Sequence, residues 1–234
     1  MTYLTYNVKA YFDRITDTAN KSILDFGCNH ANFILYNEGI SNYTGLDINN
    51  ALVEKNKELF PNRKWIHYPN YNWQYNCRFS LESIWPLSSH HQYDLIVAFS
   101  VFTHTDFNEF KNTFEKLKTH LRPKGQILPT FISTKHEEQI RVIFDHRKEY
   151  FEDYDLIKEI QNSDTATIAV NTASKQIHFF KNMLSIPRFS NETYFLTFYN
   201  DDWLSNMLDA PVVDVTDQFD GIMGVQKCLS YTHP

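Results

Sequence analysis

Short apolar runs alternate with segments whose apolar residues return every three or four positions, a rhythm that predicts parallel strands joined by crossover helices. The strands fall at residues 22–26, 43–47, 64–68, 93–99 and 126–132, each apolar enough to be covered on both faces. Ahead of the fifth, Phe107, Phe110, Phe114, Leu117 and Leu121 trace one face of a helix. The sequence LRPKG then ends it. Pro123 cannot continue a helix, and Gly125 can take the left-handed conformation that turns the chain into the strand. A first helix is predicted over 5–18 and a late one over 202–208, followed by a hairpin of PVVDV (211–215) and GVQKCLSY (224–231). Pro129 lies inside the fifth strand and lacks a ladder donor, so that strand should bulge or splay there.

Residues 133–192 are too long for a plain connection. Their charged segment HEEQIRVIFDHRKEYFEDYDLIKEIQ reads as helical and QIHFFKNML as an aromatic patch, so a helical insertion is expected after strand five. It enters at the carboxyl edge of the sheet, where ligands bind in such folds. We therefore read it as a substrate lid or dimerisation element of one domain spanning 1–234, and expect substrate specificity to reside there.

Composition narrows the class. Of 234 residues 42% are hydrophobic and 21% charged, with 6 Gly and 8 Pro, which fits a packed core rather than a flexible chain. A net charge of -6 disfavours a nonspecific nucleic-acid binder. Cys28, Cys77 and Cys228 form no CxxC pattern and read as reduced thiols. The opening MTYLTYNVKAYFDR lacks an apolar signal core, and no apolar run is long enough to span a bilayer, so the expected location is cytoplasmic without membrane attachment.

Two acidic strand ends carry the candidate chemistry. In ILDFGCNHANF, residues 23–33, Asp25 ends a buried strand and Gly27 opens a turn at the carboxyl edge, where unsatisfied N–H groups and small residues would receive a nucleoside. Asp47 ends the next strand, where a carboxylate can accept ribose hydroxyls; alternatively it caps the helix beginning near Asn50.

Together these motifs resemble the class I S-adenosylmethionine-dependent methyltransferases, whose first motif is an acidic residue followed by glycines at alternate positions. Here those positions read Asp25, Gly27, Asn29 and Ala31. Asn tolerates positive φ and Ala is the next smallest side chain, so the turn stays feasible. WIHYPNYNWQYN (65–76) and FSVFTHTD (99–106) also resemble a subgroup of that family, with Pro69 standing where an acidic residue usually sits there, while LRPKGQILPTF resembles the family's turn into strand five and FYNDDWLSNML its closing helix. The resemblance implies an α/β doubly wound Rossmann-like seven-stranded sheet of order 3-2-1-4-5-7-6, its last strand antiparallel. It implies S-adenosylmethionine as cofactor, with the backbone of Phe26, Gly27, Cys28 and Asn29 at the methionine moiety and Asp47 at the ribose. Ile48 would cover one adenine face, and Asn70 or Asn72 would take over the adenine contact. Ser100, Val101 and Phe102 would line the methyl-donor pocket.

His104 is the candidate catalytic base, because its loop lies at the carboxyl edge and imidazole exchanges protons near neutral pH. It could instead only orient the loop. His30 and Tyr6 are lesser candidates for cofactor or substrate contact. His90 with His91, and His136 with Glu137 and Glu138, lack metal-site spacing, and no metal is expected. The expected reaction is methyl transfer to an oxygen or nitrogen of a small-molecule acceptor. Alternatives are intramolecular cyclisation of the same cofactor and a binding-only, degenerate member. A nicotinamide dehydrogenase is disfavoured because no GxGxxG follows the first strand.

Overall fold

The computed structural model describes residues 15, 18–37, 39–70, 72, 84–146, 155–171, 174–186, 193–213 and 226–234. The predicted first helix and Tyr6 lie outside them. Strands β1 (Ser22–Phe26), β2 (Asn42–Asp47), β3 (Lys64–His67), β4 (Tyr93–Ala98) and β5 (Leu121–Ser133) pair in parallel in the order β3-β2-β1-β4-β5. Between them lie α1 (Asn32–Tyr36), α2 (Asn50–Leu59) and α3 (Phe107–Lys118). Alternation along β1 sends Leu24 and Phe26 to one core and Ile23 to the other, so helices cover both faces.

The last strands reproduce the expected family order. β10 (Gln226–Leu229) and β11 (Tyr231–Thr232) run antiparallel to β5 in one unbroken register, and β9 (Val212–Val213) pairs antiparallel with β10. Helix α6 (Asp201–Leu208) leads into this hairpin, capped by Asn200, whose side chain accepts from the amides of Asp202 and Trp203.

The insertion is not the helical element expected after strand five but a mixed one. It carries α4 (Glu137–His146) and α5 (Asp155–Gln161), but also β6 (Thr165–Asn171) and β7 (Ile177–Lys181), which join β8 (Thr193–Tyr199) in an antiparallel ladder. The physical reason lies in TATIAVN and TYFLTFY: β-branched and aromatic residues fit a pleated ladder better than a helix. Ile132 pairs with Gln226 on one side and Phe198 on the other, so β8 docks on the edge of β5 that β4 has vacated. With this ladder the sheet has 11 strands among the described residues.

Two details of β5 differ from expectation. The register break falls between Leu121 and Gln126, whereas Pro129 is the last residue of β5 paired with β4, opposite Ala98. The left-handed residue of the turn is Lys124, with φ 64°, and not Gly125. Gly125 is small for another reason: a Cβ there would stand 2.9 Å from the Arg122 carbonyl oxygen and 3.0 Å from that of Tyr93. Leu121 begins the strand rather than completing the helix.

Candidate active site

Three alternate residues of the turn after β1 are left-handed: Gly27 at φ 79°, Asn29 at 47° and Ala31 at 59°. The conformation glycines would adopt freely is thus kept by Asn and Ala, at a small strain cost that the surrounding bonds offset. The amides of Gly27 and Cys28 both donate to the Leu46 carbonyl, at 2.7 and 3.1 Å, and that of Ala31 to the Cys28 carbonyl at 2.9 Å. Asn29 N–H donates to Asp47 Oδ2 at 2.8 Å, and Asn56 Nδ2 donates to the Asn29 carbonyl at 2.7 Å. The expectation of unsatisfied N–H groups in this turn is therefore corrected. The turn curls back onto the end of β2, so these donors are used within the protein.

Asp47 is the bracket. Its other oxygen, Oδ1, accepts from Asn49 N–H at 2.8 Å. It does not cap α2; that role belongs to Asn49, whose Oδ1 accepts from the amides of Ala51 and Leu52. Burial raises the Asp47 carboxyl above its ordinary range, opposed by the amides of Asn49, Asn29 and Ile48 and by the nearby His30. Each carboxylate oxygen has two lone pairs, so both keep capacity for a further donor. Asp25 is buried one layer away, where it accepts from Tyr43 Oη at 2.7 Å. Burial raises its carboxyl to about 7 despite that bond, with the Asp47 charge adding to the rise. Cys28 lies in the core with Tyr43 and Trp65, and burial pushes its thiol up.

The loop after β4 closes the other side. A Cβ on Gly27 would stand 2.4 Å from Val101 Cγ2, so turn and loop are in close approach. Ser100 is left-handed at φ 56°, and its amide donates to Thr130 Oγ1 at 2.8 Å. Phe102 is buried, stacked on Phe110 at 3.9 Å and on Phe26 at 6.3 Å, so its ring supports the loop from the core. His104 ends a short 3-10 helix, Phe102–His104, with its ring edge-on to Tyr194 at 6.3 Å. Asn72 Nδ2 donates to the His104 carbonyl at 3.1 Å, and the half-buried Ile48 lies against the same core as Val101. The structure thus gathers Gly27, Asn29, Asp47 and Ile48 with the loop from Ser100 to His104 at one sheet edge. His30 is exposed beside them.

Residues 24–127 match a protein family described as a methyltransferase domain. Over these residues the chain carries a region similar to a methyltransferase domain. Solved structures share the fold of this chain at low identity. The CcbJ methyltransferase from Streptomyces caelestis has a TM-score of 0.55 at 12% identity, over 97% of this chain and 89% of that one. An S-adenosylmethionine-dependent methyltransferase from Clostridium acetobutylicum gives 0.54 at 12%, over 100% and 92%. Magnesium protoporphyrin IX methyltransferase from Synechocystis, solved with bound S-adenosylhomocysteine, gives 0.54 at 10%, over 99% and 82%. Among curated protein sequences none is significantly similar to this chain.

The same sheet edge also holds residues that sequence reasoning passed over. Asp106 caps α3 by accepting from Glu109 N–H at 2.8 Å, a D-x-x-E pattern that reads as a capping box. Glu109 instead turns its carboxyl to Asn70, whose Nδ2 donates to Oε1 at 3.4 Å. Burial, with the Asp106 charge second, raises the Glu109 carboxyl to about 8. Its folded value exceeds the unfolded one, so its stabilising contribution is full below about 4.5 and is lost as pH rises through about 8. Asp25 acts in the same direction as pH rises through about 7. Glu109→Gln should therefore melt higher than the wild type at pH 8.5 and match it near pH 4.5. Melting curves across that range check this; parallel curves would contradict it. Among the described residues no three His, Cys, Asp or Glu side chains converge as a metal site would require, and no helix is long and apolar enough to cross a membrane.

Proposed function

We propose that the chain transfers the methyl group of S-adenosylmethionine to an oxygen or nitrogen of a small-molecule acceptor. The observation that carries this reading is the left-handed turn at Gly27, Asn29 and Ala31, locked to Asp47 with both carboxylate oxygens still able to accept. The residues fit the cofactor. The missing side chain at Gly27 lets the turn approach the Val101 loop, and Asp47 sits where ribose hydroxyls need a carboxylate. Backbone carbonyls of Phe26, Gly27, Cys28 and Asn29, whose oxygens each have two lone pairs, would hold the methionine moiety, and Ile48 and Asn70 the adenine, with Asn72 the alternative. Ser100, Val101 and Phe102 would shape the pocket around the reactive centre.

When bound, the cofactor supplies an electrophilic methyl group on a sulfonium. The chain's part is mostly to hold the acceptor in line, which can provide much of the rate in such a transfer. His104 would take the proton that the acceptor's O–H or N–H gives up. The β6–β8 ladder stands over the His104 loop, so we assign acceptor choice to the insertion, as lid or dimer element of a single domain.

The test is product identity. Protein incubated with methyl-labelled S-adenosylmethionine and the small-molecule fraction of a cell extract should yield S-adenosylhomocysteine and a labelled small molecule. Methylthioadenosine as the sole product would contradict methyl transfer and favour cyclisation.

A further inference from the structure

The loop that carries His104 is gripped from behind by the insertion ladder. Thr197 Oγ1 donates to the Thr105 carbonyl at 2.8 Å, and Tyr199 Oη donates to the same oxygen at 3.1 Å. Both residues are fully buried on β8, and the matched domain, residues 24–127, includes neither. Two donors on one carbonyl occupy both of its lone pairs and fix the direction in which it points. Because the Thr197 proton is committed to Thr105, the Thr167 hydroxyl 3.2 Å away donates to Thr197 and orients it in turn.

Shape alone does not require these hydroxyls. Valine has the form of threonine, and a buried strand face built only for packing would hold it without a polar group to satisfy. Here polar groups converge from β6 and β8 on the carbonyl next to the candidate base. The ladder therefore sets the backbone of that loop rather than merely covering it.

We infer that Thr197 and Tyr199 are positioning residues that fix His104 for the transfer step, a role that rests on the His104 assignment made under the proposed function. The test is nuclear magnetic resonance of histidine-labelled protein without cofactor, with the His104 signal assigned from His104→Gln. In Thr197→Val/Tyr199→Phe the His104 ring resonances and titration midpoint should move while those of other histidines stay. Thr197→Ser, which keeps the hydroxyl, should retain the wild-type values. A folded double variant with unmoved His104 signals overturns the inference, since a purely structural role changes only the melting point. Should the double variant not fold, Tyr199→Phe, which keeps the ring and one of the two donors, is read by the same criterion. A titration of the wild type with S-adenosylhomocysteine reports on the cofactor reading separately, because the imidazole comparison involves no cofactor.

Discussion

Gly27→Ala should weaken S-adenosylhomocysteine binding by roughly a hundredfold or more and destabilise the fold by about 2–4 kcal/mol. Two causes add. The residue sits at φ 79°, which a Cβ disfavours, and that Cβ would stand 2.4 Å from Val101 Cγ2. Val101 cannot give way freely, because it packs against the main core and belongs to the loop that carries His104. The variant therefore pushes the two walls of the proposed pocket apart. Gly27→Ala/Val101→Ala separates the causes, since it removes Cγ2 and leaves Val101 Cβ at 3.7 Å. Calorimetric titration should show part of the affinity restored; no recovery would assign the whole effect to backbone strain.

Asp47→Ala is expected to weaken the same binding by more than about tenfold, the scale for losing a charged hydrogen-bonding partner. The change also deprives two amides, those of Asn29 and Asn49, of their acceptor, so it loosens the turn as well as removing the ribose contact. Asp47→Asn retains one oxygen acceptor and should lose less. If Asp47→Ala binds as the wild type does, the carboxylate does not meet the ribose.

The parallel half of the fold was legible because its code is local. The segment SILDF forms β1 over the predicted residues, and β2, β3 and β4 deviate by a single terminal residue. The alternation of Asp25, Gly27, Asn29 and Ala31 was readable as a turn of small or positive-φ-tolerant residues, and all three after Asp25 are left-handed. The inward direction of the turn's amides was not readable, since it depends on where β2 ends. The β6–β8 ladder was hidden by its neighbours: charged helical sequence dominates the segment, while the strands declare themselves only by β-branched and aromatic residues. Least legible were Thr197 and Tyr199. Tyr199 meets a carbonyl 94 residues away, and nothing in the adjacent sequence marks a buried hydroxyl as aimed at one loop.

The proposed cofactor cradle is the turn at Gly27 together with the carboxylate of Asp47. Calorimetric titration of the wild-type protein with S-adenosylhomocysteine tests this most directly. Saturable binding with one ligand per chain is the predicted result, and no heat at high micromolar ligand would contradict it.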